Sequence, residues 1–239
     1  MAIQEQLIEY QDGDKLLEGF LAWDDSSSAP RPGVLVSHAW AGRDEFECQK
    51  ARDVAAKGYV GFALDLYGKG VLGGGPEENT KLMMRFLNDR VLLKRRMTQV
   101  LELVSELEQV DSSKIAAMGF CFGGLCVLDL ARSGADLQGV VSFHGLFNPP
   151  EGADVVPIRA KVLALHGWDD PMVPPDQVTA LAKELTDAGA DWQIHGYGQT
   201  THAFTNQAAN DPDMGTVYQP NADRRSHQAL WNFLEELFE

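Results

Sequence analysis

From Gly33 onward, short apolar runs of strand type alternate with longer stretches of helical spacing, which restricts the chain to very few architectures. Residues 33–37, 59–66, 114–118, 139–143, 161–165 and 192–197 read as strands. Residues 46–57 (closed by Gly58), 122–132, 176–187 and 223–238 read as helices, and 80–107 as one or two helices broken near Asn88-Asp89. Ahead of them, residues 3–10 and 16–22 alternate apolar and polar side chains around Asp12-Gly13, the pattern of a hairpin. Strands separated by helices imply βαβ units, hence an α/β fold with a mostly parallel central sheet flanked by helices on both faces. The 239 residues suit one such domain spanning 1–239.

Composition removes several classes of function. The net charge of −15 argues against nucleic acid or anionic lipid as a partner, since both reward clustered Lys and Arg. The one basic run, Lys94-Arg95-Arg96, reads as the solvated face of a helix. Three cysteines, none in a CxxC motif, point away from a disulfide framework or a structural zinc site. The first residues have neither the basic start nor the apolar run of a signal peptide, and no stretch is apolar for long enough to span a bilayer. A cytoplasmic location is the expectation.

In open α/β sheets reactive groups gather at the carboxyl ends of strands. There the sequence places Gly119-Phe120-Cys121-Phe122-Gly123-Gly124, between a strand and a helix. This is the G-x-C-x-G form of a nucleophile elbow, a turn sharp enough to need flanking glycines and to project its central side chain. The helix N-terminus beneath it favours a thiolate. The alternative of a core cysteine beside a phosphate loop lacks the G-x-x-x-x-G-K-[ST] signature. An acid and then a histidine should follow, the order kept by α/β hydrolases. Asp169 and Asp170 compete after the strand at 161–165, and the pattern Asp170-x-x-Val173-Pro174 selects Asp170. His202, in a loop before the last helix, has the position of the base. His38 and His166 read as structural, as do His195 and His227, while His144 ends a strand at the reactive edge and is a candidate for lining the pocket. An oxyanion hole needs two backbone N–H groups, expected from Phe122 and from Trp40 in the loop after residues 33–37.

Together these residues resemble the dienelactone hydrolase family. The resemblance rests on the Gly-Phe-Cys-Phe-Gly-Gly elbow, Asp65-Leu66-Tyr67-Gly68, Asp169-Asp170-Pro171-Met172-Val173-Pro174 and Thr201-His202-Ala203-Phe204. It implies a Cys121–His202–Asp170 triad that hydrolyses esters or lactones through a thioester, without a cofactor or a metal. Two departures qualify it. Ala39 stands where dienelactone-opening members carry a glutamate that helps deprotonate the thiol, which leaves His202 alone to activate it. Asn206 stands where such members carry an arginine for the substrate carboxylate, and near Lys81 the second arginine is replaced by Pro76-Glu77-Glu78. A neutral small-molecule ester or lactone is therefore the expected substrate, in a pocket lined by Ala39, His144, Leu72 and Met83, with phosphotriesters as promiscuous substrates. A carboxymethylenebutenolidase proper, a thiol-redox protein using Cys126 as the resolving cysteine and a catalytically silent binding member of the fold are the competing readings.

Overall fold

The computed structural model describes residues 2–152 and 156–239. Two compact units make up the chain, Met1–Met118 and Gly119–Glu239, with the boundary inside a strand.

In the first unit, β1 (Ile3–Asp12) and β2 (Lys15–Asp24) form an antiparallel hairpin. Asp12 lies opposite Lys15, so the two-residue turn is Gly13-Asp14, one position later than the sequence pattern places it. β2 pairs antiparallel with β4 (Val60–Ala63), and β4 pairs parallel with β3 (Arg31–Ser37). Val34, Leu35, Val36, Val60, Phe62 and Ala63 are all buried, the continuous apolar run that a strand covered on both faces requires. α1 (Glu45–Ala56) packs on β2, β3 and β4. α2 (Pro76–Leu87) and α3 (Arg90–Ser105) are separate helices, broken where the sequence suggests. The break is stabilised by Asp89, whose carboxylate accepts from Leu92 N at 2.9 Å and caps α3.

Arg96 corrects the reading of its basic run as a solvated face. It is buried, with Nε donating to Asp12 Oδ2 at 2.7 Å, Nη1 donating to the Leu66 carbonyl, and the guanidinium over the ring of Phe86. Arg95 holds the same carboxylate from the outside, at 2.8 and 2.9 Å. A buried cation is tolerated because its partners come with it.

β5 (Val110–Phe120) leads into the second unit, which contains α4 (Phe122–Arg132), β6 (Gly139–Phe143), β7 (Lys161–Gly167), α5 (Pro175–Asp187), β8 (Trp192–Tyr197) and α6 (Pro220–Phe238). β6, β7 and β8 are parallel neighbours, α4 and α6 pack on β6, and α5 packs on β8. Leu230, Phe233 and Leu234 form the buried stripe of α6. A ribbon of two-residue strands, β9 (Asn210–Asp211) and β10 (Thr216–Val217), precedes α6. The chain leaves the carboxyl ends of β5, β6, β7 and β8 through segments carrying Cys121, His144, Asp170 and His202 respectively. Among the described residues no helix is long and apolar enough to cross a membrane, and no cluster of His, Cys, Asp and Glu could hold a metal ion.

Candidate active site

Cys121 turns the chain from β5 into α4 with φ 55° and ψ −116°, a conformation that costs a non-glycine residue about 1–3 kcal/mol. The surroundings force it. Its N–H donates to the Phe143 carbonyl at 3.0 Å, and its own carbonyl accepts from Gly124 N at 3.0 Å. Gly119 has no alternative here, because a Cβ at that position would stand 2.1 Å from the Gly123 carbonyl oxygen. Cys121 is half-buried, while Cys126 is fully buried in α4.

Asp170 and His202 form a close pair, with His202 Nδ1 2.7 Å from Asp170 Oδ2 and both residues 2% exposed. The second carboxylate oxygen of Asp170 accepts from Met172 N at 2.8 Å, which fixes the carboxylate plane. Asp169 is exposed, whereas Asp170 is buried against His202. Burial opposes a charge on His202. Against it act the electrostatic attraction of Cys121, the hydrogen bond with Asp170 and the Asp170 carboxylate, and together they push the pKa of His202 up to about 10. His202 Nε2, the ring nitrogen that does not face Asp170, has no hydrogen-bond partner among the described residues. Catalytic hydrogen bonds are commonly long before substrate arrives.

His202 is not on a free loop, as its position before the last helix suggests. Its N–H donates to the Gly215 carbonyl at 2.9 Å and its carbonyl accepts from Val217 N at 3.1 Å. Gly215, at φ 67°, fits where a Cβ would stand 2.3 Å from Cγ of Pro171, so one residue touches the segments of both Asp170 and His202.

His144 is buried beside this pair, its ring edge-on to His202 and, at 5.0 Å and 81°, to Phe204. Nε2 shares a hydrogen bond of 2.8 Å with Thr205 Oγ1. Burial, then the charge of His202, holds its pKa well below 6.5, so the ring is neutral. His166 is buried under Phe147, and burial lowers its pKa as well.

Phe122 is the first residue of α4, so its N–H belongs to the first helical turn. The other sequence-derived candidates lie in the first unit. Trp40 is half-buried; its carbonyl accepts from Tyr67 Oη at 3.0 Å, and its N–H donates no hydrogen bond among the described residues. Ala39 is half-buried, Leu72 exposed and Met83 half-buried on α2. Sequence reasoning missed Glu47, a buried carboxyl under residues 38–44, although Asp44-x-x-Glu47 at a helix start is a legible capping box. It also missed Thr205, which only the fold brings to His144.

A family model described as the dienelactone hydrolase family matches residues 17–238. The chain belongs to the dienelactone hydrolase family. It is 26% identical over 243 residues to a putative carboxymethylenebutenolidase of Yersinia pestis, covering 95% of this chain and 84% of that one. Among solved structures, m3DLH matches with a TM-score of 0.95 at 35% identity, both chains covered in full. P91, a dienelactone hydrolase-like promiscuous phosphotriesterase from metagenomic libraries, matches with a TM-score of 0.95 at 34% identity, again in full. MGS-M1, an α/β-hydrolase enzyme from a deep-sea metagenome library, matches with a TM-score of 0.70 at 16% identity over 98% of each chain. The fold is that of the α/β hydrolases, and the dienelactone hydrolase assignment makes the protein a hydrolase of ester bonds.

Proposed function

We propose that this dienelactone hydrolase family member cleaves neutral carboxylic esters or lactones through a thioester on Cys121. The observation that carries the reading is the buried 2.7 Å pair of Asp170 and His202, with the strained elbow of Cys121 helping to raise the pKa of His202. In the first half-reaction Cys121 Sγ attacks the carbonyl carbon, and His202 Nε2 gives its proton to the departing alkoxide. In the second, water attacks the thioester, His202 takes a water proton, and the thiolate leaves with the electron pair of the C–S bond. The products are an alcohol and a carboxylic acid, and the proton balance returns to its start. Asp170 fixes the tautomer and orientation of His202 throughout. The amide of Phe122, in the first turn of α4, donates to the oxyanion.

The identity of the acyl group follows from what the site lacks. Asn206 is exposed, and its side chain accepts from Ala208 N at 2.9 Å within its own turn. With Ala39 apolar and the net charge −15, nothing at these positions rewards a substrate carboxylate. Turnover of p-nitrophenyl butyrate in EDTA, with an acyl adduct on Cys121 detected by mass spectrometry after rapid quench, tests the reading. No adduct on Cys121, or turnover surviving in Cys121→Ala, would overturn it.

A second activity is favoured by the likeness to P91. A neutral phosphotriester presents an oxygen to the same amide while Cys121 attacks phosphorus. A phosphoserine is slow to clear because it must expel an alkoxide, whereas a thiolate, with thiol pKa values near about 8.5, leaves more readily. Steady paraoxon hydrolysis in EDTA that disappears in Cys121→Ala is the expected result. A single stoichiometric burst of p-nitrophenol would show that the phospho-cysteine is a dead end.

A further inference from the structure

In the second unit, the segments that carry Asp170 and His202 touch both before and after His202 along the chain. Before it, Asp169 N donates to the Thr200 carbonyl at 2.9 Å. After it, the contact runs through the ribbon. His202 bridges to Thr216 of β10: its N–H donates to the Gly215 carbonyl at 2.9 Å, and its own carbonyl accepts from Val217 N at 3.1 Å. The ribbon is held in turn. Met214 N donates to Asp211 Oδ1 at 3.0 Å, and Gln219 N, at the cap of α6, donates to the carbonyl of buried Phe204 at 3.1 Å. Gly215 is buried, and the space of a side chain there is already filled by Pro171, the residue after Asp170. A Cβ would stand 2.3 Å from Pro171 Cγ and 2.7 Å from Cδ.

We infer that Gly215 is a positioning residue for His202, the spacer through which the ribbon sets how closely the segment of His202 approaches that of Asp170. The inference rests on the ester-hydrolase reading above, in which His202 is the base, and adds a residue that acts only through His202. A pyrrolidine ring is closed and cannot swing aside as the end of a long side chain would. A methyl group at position 215 therefore has to part Pro171 from the ribbon, from 2.3 Å to an ordinary carbon contact of about 3.5–4.0 Å. The bond from Asp169 to Thr200 still holds the two segments together upstream, so the parting is taken up as a tilt of His202 away from Asp170. Misplacing a catalytic group by about 1 Å can cost about 10²-fold in rate.

Gly215→Ala introduces two changes at once, a methyl against Pro171 and a side chain at φ 67°, and two further variants separate them. Gly189→Ala, at φ 72° with nothing within 4 Å of its Cβ, carries the backbone penalty alone. Pro171→Ala in the Gly215→Ala background removes Cγ and Cδ and keeps that penalty, and the remaining Cβ of residue 171 lies at an ordinary 3.7 Å. For p-nitrophenyl butyrate we expect kcat of Gly215→Ala to fall about tenfold or more, with KM within about threefold. Gly189→Ala lowers Tm and keeps kcat within about threefold of wild type. The double variant recovers kcat to within about threefold of Pro171→Ala, while its Tm stays below that of Pro171→Ala. In ¹⁵N spectra the imidazole of His202 titrates lower in Gly215→Ala by about half a unit or more, because a lengthened bond to Asp170 favours the imidazolium less. Should Gly215→Ala not fold, Val217→Pro takes its place. It deletes the N–H that holds the His202 carbonyl, loosening the same clamp, and meets the same kcat and titration criteria.

A smaller fall in kcat, an equal fall in Gly189→Ala, no recovery in the double variant or an unmoved His202 titration each removes the role of Gly215. Esterase activity surviving in Cys121→Ala would instead sink the thiol mechanism, whatever Gly215→Ala does. An inactive Cys121→Ala beside a fully active Gly215→Ala would sink only the spacer.

Discussion

The imidazole of His144 meets that of His202 at 64° with 5.2 Å between ring centroids, one ring held neutral and the other held charged. His144 therefore bears on His202 by packing, with Thr205 anchoring its far nitrogen. His144→Ala opens a cavity on one side of His202 and is expected to lower kcat about tenfold or more and to destabilise the fold by about 2–4 kcal/mol, as other large-to-small core changes do. His144→Phe, which keeps a neutral ring, should recover most of the kcat. Equal kcat in His144→Ala and wild type, measured on folded protein, would show that the packing does not matter.

Cys121→Ala and His202→Ala should each reduce esterase kcat by about 10³-fold or more, and Asp170→Asn by about 10²–10⁴-fold, because the members act as a unit. Steady-state kinetics with p-nitrophenyl butyrate checks all three. More than a tenth of wild-type activity in Cys121→Ala would contradict the assignment.

His202 carries a raised pKa, so its sign is that of a group gaining a partner. The stabilisation it gives is full below the unfolded value of 6.5 and disappears as pH rises through about 10. The wild-type imidazolium should be visible in ¹⁵N spectra at pH 8, and Cys121→Ala, which deletes the strongest group favouring the charge, should shift its titration downward. An unchanged titration in Cys121→Ala would mean the thiolate is not its partner.

Glu47 has the opposite consequence for stability. Burial, opposed by the Asp44 amide, reinforced by the Asp44 charge and opposed again by the Ala39 amide, raises it from 4.5 to about 8. The unfolded chain releases this proton near 4.5 and the folded chain only near 8, so the fold loses stability across that window, by an amount on the order of a few kcal/mol. Urea unfolding at pH 5 and pH 8 should show a decline that Glu47→Gln largely removes. A parallel decline in both proteins would assign it to other groups.

Substrate preference follows from Asn206 and Ala39. The kcat/KM of a dienelactone carboxylate should lie at least about tenfold below that of a neutral aryl ester, since no buried cation meets the anion at these positions. The reverse order would overturn the neutral-substrate reading.

Much of this is legible in the sequence. The limits of α4, β6 and β8 match the sequence pattern residue for residue, because glycine punctuation and unbroken apolar runs are local signals. The pairing of Asp170 with His202 follows from the order of the elements along the chain. What stayed hidden depends on distant partners. Arg96 is buried because of Asp12, 84 residues away. β9 and β10, two residues each, are too short for any periodicity, and only their pairing with each other and the bond from β10 to His202 give them away. Glu47 looks like a surface cap until its second amide, eight residues upstream, is seen.

That short ribbon changes where rate variation in this enzyme should be sought. The main chain of His202 is stitched on both sides to Gly215 and Val217, and residues 210–214 between them and the solvent are exposed. Exposed segments accept substitution with little loss of stability. A lineage under pressure for a new ester can therefore adjust the angle of His202 by drifting at the surface, while the side chains around it stay the same.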